Sequence, residues 1–283
     1  MGDMYDLHTH TSFSDGTYSP RKLIALAREL GLPGIGITDH DTVSGWEEAI
    51  RAGEEYGVKV VLGVEISSAW KGKDIHILGY CMRANDQTFL GKLDELRNAR
   101  DRRNMEIVLR LNQLGIDISM EEVKKIKKMN HGNIGRPHIA EVLIQKGIVS
   151  SVEEAFRLYL GREGAAYIQV PRITPHQAIS MILASGGVPV LAHPGLYEED
   201  QLIEELVSIG LMGIEAGHAD HSRDNEIKYR EIGKQYKLII TAGSDYHGER
   251  NGLVFHASLG SHGVSLSVVE EIEERAAELQ RKR

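Results

Sequence analysis

Short apolar runs bounded by polar turns recur along the chain at residues 5–10, 34–38, 59–66 and 74–80. Segments with helical spacing of apolar positions separate the first three. The first of them opens at Ser19-Pro20, a cap residue followed by proline at the first helical position. The strand-and-helix alternation resumes after residue 170, with runs at 188–192, 213–216 and 238–242. Seven strands with intervening helices predict a barrel-like α/β domain built from residues 1–85 and 166–283. Residues 86–165 read instead as nearly all helix, with capping-box patterns at Ser119-x-x-Glu122 and Ser151-x-x-Glu154, and are expected to form an inserted helical subdomain. A last helix, over about 267–281, is expected on the outside of the barrel.

Composition narrows the class. With 283 residues, 41% hydrophobic and 26% charged, the chain has a globular profile, and no run approaches the roughly 18 apolar residues of a membrane span. The anomaly is 13 His against 4 Phe and 2 Trp, with 41 Asp+Glu against 33 Lys+Arg and a net charge of −8. Cys81 is the single cysteine, so a multi-ligand metal site must use imidazole and carboxylate, donors that suit Mn, Fe, Zn and Mg. Cys81 itself reads as a small buried residue beside the fourth strand. Residues 1–6 lack the basic and apolar regions of a signal peptide, which makes the cytoplasm the expected compartment. The acidic total argues against broad nucleic-acid coating. Residues 86–165 hold 14 Lys+Arg and 12 Asp+Glu, a mildly basic insertion on an acidic body, and Lys124-Lys125-x-Lys127-Lys128 reads as a solvated helix face.

The histidines and acids cluster where the expected strands end. His8-x-His10 closes the first strand and Asp15 follows. His40 follows the second, Glu65 ends the third, and His76 lies within the fourth. His193 follows the fifth, and Asp245 and His247 follow the seventh. In parallel α/β barrels these ends converge on one face, where active sites sit. An extended strand sends residues i and i+2 to one side, so His8 with His10, and Asp245 with His247, can each share an ion. Nine ligands exceed what one ion accepts while keeping a position for water or substrate, which implies two or three divalent ions. One partition gives His8, His10, Glu65 and Asp245 to the first, Glu65, His76 and His193 to the second, and Asp15, His40 and His247 to the third. Such a cluster suits in-line phosphoryl displacement.

The motifs Asp6-Leu7-His8-Thr9-His10, Ser14-Asp15-Gly16, Thr38-Asp39-His40-Asp41, Gly63-Val64-Glu65, His76-Ile77-Leu78-Gly79-Tyr80, Ala192-His193-Pro194 and Gly243-Ser244-Asp245-x-His247-Gly248 resemble those of the PHP (polymerase and histidinol phosphatase) superfamily, from residue 3 to about 260. The resemblance is strongest to members that act as 3′,5′-nucleoside bisphosphate phosphatases and 5′-to-3′ RNA exonucleases. It implies a distorted seven-stranded barrel, a helical insertion and a trinuclear metal centre. Within the insertion, Gly135-Arg136-Pro137-His138 lies at an expected helix start, where an anion is favoured and Arg can grip phosphate oxygens bidentately. The resemblance makes Arg136 and His138 substrate-binding, and His221, in His221-Ser222, a pocket residue. The chain departs from the family between Glu215 and His221, reading Ala216-Gly217-His218-Ala219-Asp220. His218 there is expected to be a surface polar residue, and His131, His176, His256 and His262, which lie in no motif, are expected to be incidental.

The expected activity is metal-dependent hydrolysis of a phosphate monoester, foremost the 3′-phosphate of a nucleoside 3′,5′-bisphosphate, with trimming of short RNA from its 5′ end. His193 or His221 would protonate the leaving oxygen. No membrane and no obligate protein partner is implied. Histidinol-phosphate hydrolysis is the rival within enzymes, which the Gly-Arg-Pro-His segment argues against. A non-catalytic metal-binding module is the rival outside them, opposed by the complete set of ligand positions.

Overall fold

The computed structural model describes residues 4–126, 133–168, 172–250, 252–254 and 256–282. His131, Lys127 and Lys128 therefore lie outside the described residues. In chain order the elements are β1 (Tyr5–Asp6), α1 (Pro20–Glu29), β2 (Gly34–Ile37), α2 (Trp46–Tyr56), β3 (Lys59–Trp70) and β4 (Lys73–Tyr80), then the helices α3 (Gln87–Gln113), α4 (Met120–Ile126), α5 (Arg136–Gln145) and α6 (Val152–Ala155). The chain continues through α7 (Pro175–Ala184), β5 (Val188–Leu191), α8 (Asp200–Ser208), β6 (Gly213–His218), α9 (Arg223–Tyr236), β7 (Ile239–Gly243), a small hairpin of β8 (Glu249–Arg250) and β9 (Leu253–Val254), and α10 (Leu266–Arg281).

Strands β1 to β7 form one sheet in sequence order. The Leu7 amide donates to the Ala242 carbonyl at 3.3 Å and Thr9 bridges Tyr246, so the two edges meet and the barrel is nearly closed. The ladder of β1 ends at Asp6, earlier than the apolar run suggests. Beyond it hydroxyls take over: the Thr9 amide donates to Thr38 Oγ1 at 3.1 Å, and the Thr9 hydroxyl donates to the Gly36 carbonyl.

One strand runs against the others. β4 pairs antiparallel with both β3 and β5, while the remaining neighbours are parallel. Only Lys71 and Gly72 separate β3 from β4, at φ of 47° and 79°. That is a two-residue hairpin turn with both central residues left-handed, and it forces the chain to reverse. His76, in the first half of β4 and opposite Ser67, is thereby carried to the end of the barrel where the other strands finish.

Alternation along the strands builds two layers. Ile35, Ile37, Val64, Ile66, Ile75 and Ile77 join an outer cluster with Leu23, Ile24 and Ala27 of α1 and with Trp46 and Ala49 of α2. Residues of the other parity, Val61, Leu78, Tyr80, Val188 and Val190, form an inner cluster with Leu7 and with Val269, Ile272 and Ala276 of α10. Each of these Val and Ile side chains stabilises the fold by roughly 1.5–3 kcal/mol on full burial. Helix α10 is held at the lower end by Lys59–Glu273 and by bonds from Gln280 to the carbonyls of Cys81 and Gly186. It closes the barrel floor, in contrast to the external position expected from sequence, because its apolar face meets inward-facing strand residues. With the floor apolar, the inward positions above it, such as Glu65 and His76, carry the polar chemistry.

The insertion has a core of its own, from Ile107 to Ala166, whereas Phe89 and Leu93 at the start of α3 pack into the barrel's outer cluster. One long helix thus belongs to both bodies and ties them together. As expected, Ser19 Oγ accepts from the Lys22 amide, and Ser119 and Glu122 bond reciprocally. The second box forms by half: Ser151 Oγ accepts from the Glu154 amide, but the Glu154 carboxylate takes the Ser150 amide and hydroxyl instead. After α6 the chain makes a π-helical turn, Phe156–Leu160. Among the described residues no helix is long and apolar enough to cross a membrane.

Strand β2 passes so close to Leu7 that a Cβ at Gly36 would overlap the Leu7 backbone. We expect Gly36→Ala to destabilise the protein by about 3 kcal/mol through overpacking, measured by chemical denaturation. A loss below roughly 0.5 kcal/mol, the range of neutral surface changes, would contradict this packing.

Candidate metal centre

The backbone at the upper end of the barrel is specialised. His193, Asp41 and Asp245 have φ of 26°, 53° and 54°, sparsely populated values for residues with a Cβ that the surrounding structure must enforce. Asp39 fixes the loop after β1, accepting from the Thr11 amide and hydroxyl and from Ser14 Oγ at 2.6–2.7 Å. Asp15 follows directly, and Arg250 of β8 donates to its carbonyl.

All nine ligands expected from sequence meet in one bowl. Glu65, 1% exposed, stands at the centre: Oε2 lies 3.2–3.3 Å from nitrogens of His8, His10 and His40, and Oε1 lies 2.7 Å from His76 Nδ1 and 3.0 Å from His193 Nε2. Asp245 Oδ1 lies 3.3 Å from His8 Nε2 and 3.0 Å from His10 Nε2. Asp15 Oδ1 lies 3.3 Å from His247 Nε2, and Asp15 Oδ2 lies 3.9 Å from His40 Nε2. Five overlapping sets of donors, each mutually within 4.8 Å, emerge among the described residues: His8, His10, Glu65 and Asp245; His40, Glu65 and His76; His10, Asp15, His40 and His247; His8, Glu215 and His218; and Asp245, His247 and His256. The geometry differs from the sequence partition in placing His40 beside Glu65 as well as Asp15, in giving His10 to two sets, and in leaving His193 out of every set although its Nε2 lies 3.0 Å from Glu65 Oε1.

The donor atoms fit divalent cations. His8 Nε2, His10 Nε2, His40 Nδ1, His76 Nδ1, Asp15 Oδ1 and Asp245 Oδ1 are all buried without a hydrogen-bond partner, a costly arrangement unless an ion completes it. The protonation pattern agrees. Burial pushes His40 down to about 3 and His193 down to about 4, which keeps both rings neutral and ready to ligate. Burial would also lower His8 and His10, but the carboxylates around them win: Glu215 and Asp245 carry His8 well above its ordinary value, and Asp245 and Glu65 carry His10 to about 10.

A supporting layer was not anticipated from sequence. Glu215, fully buried, accepts from His8 Nδ1 at 3.0 Å and from the His193 amide at 2.9 Å. Tyr197 Oη lies 2.8 Å from His193 Nδ1 and accepts from the His76 amide. Such partners fix ring orientation and tune ligand basicity.

Several expectations need correction. His218 is buried, with Nε2 3.5 Å from Asp245 Oδ2, because β6 continues past Ala216 into the bowl. His256 lines the active cavity, 2.7 Å from Asp220 and 3.6 Å from Asp245. His221 is engaged at both nitrogens: Nδ1–H donates to the Ala216 carbonyl, freed by a register shift in β6, and Nε2 accepts from the Gly195 amide. It braces two loops and does not line the cavity. His138 Nδ1 accepts the Gly135 amide and so caps α5. The ring borders a separate cavity of about 820 Å³ beside residues 12–17. His176 and His262 lie elsewhere, beside Glu205 and Glu226. Cys81 is a half-buried thiol whose pKa burial pushes up to about 12.

A cavity of about 580 Å³ joins the bowl to the insertion and is walled on the far side by arginines. Arg136 donates to Asp74 Oδ2 at 2.8 Å and to the Leu160 carbonyl of the π turn. Arg172 takes Asp74 Oδ1 at 2.8 Å, and Arg100 bonds Asp41 at 2.7 Å. Arg103 is 5% exposed, and burial together with the neighbouring arginines works against its charge. Clustered guanidiniums facing an imidazole–carboxylate bowl have the chemistry to take an anion beside a metal centre.

The fold and this site define a metal-dependent phosphoesterase. The chain belongs to the PHP family: the family model described as "PHP domain" matches residues 6–160. Among curated relatives, a 5′-3′ exoribonuclease of Haemophilus influenzae is 32% identical over 252 residues, covering 87% of this chain and 91% of that protein. A 3′,5′-nucleoside bisphosphate phosphatase of Chromobacterium violaceum is 30% identical over 252 residues, covering 87% and 88%. A crystal structure from Bifidobacterium adolescentis, named for a metal-dependent phosphoesterase, superposes with a TM-score of 0.89 at 33% identity, covering 96% of each chain.

Because His8 and His10 are held protonated at pH 7 in the metal-free bowl and ligation needs neutral rings, metal loading is expected to release about two protons. Affinity should accordingly rise as pH climbs from 7 toward the His10 value of about 10. In the metal-free fold the sign is opposite: stability from this raised pKa is full below the ordinary His value and is lost as pH rises through about 10. Calorimetric titration of Mn in buffers of different ionisation enthalpy measures the release. A binding enthalpy independent of buffer would contradict it.

Proposed function

We propose that this chain hydrolyses the 3′-phosphate of nucleoside 3′,5′-bisphosphates, and trims short 5′-phosphorylated RNA in the same bowl, in the cytoplasm. The observation that carries this reading is the pairing, within one cavity, of a nine-ligand metal bowl and an arginine wall. A substrate with two phosphates satisfies both ends. Two to three divalent ions, drawn from Mn, Fe or Zn with Mg compatible, suit the overlapping donor sets around Glu65, Asp245 and Asp15. His8, His10, Glu65 and Asp245 would hold one, Glu65, His76 and His193 the second, and Asp15, His40 and His247 the third. When bound, such ions supply Lewis acidity and activate water for attack at phosphorus.

The chain's own residues do the rest. Arg136, pinned by Asp74 and Leu160, presents its guanidinium to the 5′-phosphate, and the relatives named for a bisphosphate phosphatase and an exoribonuclease support that substrate class. His138 acts on substrate only indirectly, by bracing Gly135 just ahead of Arg136. Phe156 and Leu196 give the cavity an apolar surface for the nucleoside. His193 orients within the ligand set. Because both nitrogens of His221 are engaged, the proton for the departing 3′-oxygen is assigned to His256, whose ring lines the cavity and is oriented by Asp220.

The test is a phosphate-release screen with added Mn across nucleoside 3′,5′-bisphosphates, 5′-phosphorylated RNA oligomers and histidinol phosphate. The bisphosphates should be turned over most efficiently. Arg136→Met should lower kcat/KM on them by about tenfold or more, the loss of one charge-assisted hydrogen-bonded contact. A preference for histidinol phosphate would replace this reading with the rival one, and no hydrolysis of any of the three would favour a non-catalytic module.

A further inference from the structure

The active cavity shares its arginine wall with a second one. Ser67, Arg100, Arg103 and Arg172 line both the 580 Å³ cavity and a neighbour of about 290 Å³, whose remaining wall comes chiefly from α3 and the start of α7. Two of the shared guanidiniums have carboxylate partners, since Asp41 takes Arg100 and Asp74 takes Arg172. The third does not. Arg103 donates from Nη2 to Asn104 Oδ1 at 3.3 Å, and its Nε is buried with no hydrogen-bond partner among the described residues. A buried guanidinium without a counter-charge is strongly unfavourable unless an anion completes it. Asp41 takes Arg100, and Arg172 shares Asp74 with Arg136, so the uncompensated positive charge that faces both cavities is that of Arg103.

The second cavity offers further donors. Gln177 lies in the first turn of α7, a ten-residue helix capped by Thr174 whose N-terminal end carries partial positive charge. Glu95, the remaining acid on this wall, is exposed and lies 3.9 Å from Lys92. A phosphoryl group seated against Arg136 in the first cavity therefore has, across the shared wall, room and positive charge for one more.

Resting on the reading of the active cavity above, we propose that the second cavity takes the phosphoryl group next beyond the 5′-phosphate, so that the substrates include 3′-phosphorylated nucleotides with a 5′-diphosphate end. The 5′-diphosphate is held and not cleaved. Water forms the new bond to the 3′-phosphorus, the bond from that phosphorus to the 3′-oxygen breaks, and a proton ends on the 3′-oxygen. The products are inorganic phosphate and a nucleoside 5′-diphosphate.

The experiment compares kcat/KM of the full chain, loaded with Mn, on adenosine 3′,5′-bisphosphate and on adenosine 3′-phosphate 5′-diphosphate, with the nucleotide product identified by chromatography. Wild type should process the two within about threefold of each other and yield adenosine 5′-diphosphate from the second. Gln177→Glu preserves the capping box and adds a negative charge to the second cavity; it should cut the diphosphate-to-bisphosphate efficiency ratio at least tenfold. Ala99→Phe, which fills the same cavity from α3, should do likewise. Efficient turnover of the bisphosphate with the diphosphate more than tenfold poorer overturns the inference and leaves the proposed function standing, as does an unchanged ratio in both variants. Hydrolysis of neither compound overturns both.

Discussion

Five imidazoles converge on the two oxygens of Glu65, a carboxylate that is almost wholly buried. Neither protons nor hydrogen bonds satisfy so many donors and acceptors at once, since several of the nitrogens point at one another's partners with no bond between them. The arrangement suits bound metal ions, and the surrounding architecture serves that constraint. The hairpin turn brings His76 to the correct end, strained backbone at His193 and Asp245 aims side chains inward, and Glu215 and Tyr197 orient rings from behind. The apolar floor sealed by α10 keeps the opposite end of the barrel dry.

The insertion answers a different requirement. Metal chemistry on phosphorus acts on many esters, so selection has to come from the part of the substrate remote from the reacting bond. Helices α3 and α5 lay Arg100, Arg103 and Arg136 across the mouth of the bowl, and the barrel returns Asp74, two residues before His76, to hold two of the guanidiniums. In the proposed function, metal-binding and recognition groups are thus interlocked through one strand, β4, which carries His76 of the bowl and the acid that holds Arg136 and Arg172.

Much of this was legible in the sequence because it depends on local pattern. Apolar runs mark strands, and the residues just beyond them reach one face of a barrel, so all nine residues that meet in the bowl could be named from their positions. What escaped was whatever depends on direction or on long-range contact. Period-two alternation is the same for a strand read either way, so β4 gave no sign of running backward except the brevity of Lys71-Gly72. His221 looked available because the carbonyl that occupies it is exposed by a bulge in β6. His218 and His256 sit in segments without a motif, and only the closure of the barrel brings them beside Asp245. Arg103 resembles any charge on a solvated helix until α3 is laid against the barrel.

Strand β3 concentrates these functions to an unusual degree. Along its inward face lie Val61 in the floor, Glu65 in the bowl and Ser67 at the arginine wall, while Val64 and Ile66 on the other face anchor the outer helices. A slip of one residue in its pairing would exchange the two faces, placing aliphatic side chains among the histidines and a carboxylate in the hydrocarbon layer. The same register that makes the bowl is therefore the one that lets the chain fold, and an insertion or deletion of a single residue upstream in this strand would cost the protein its solubility along with its chemistry.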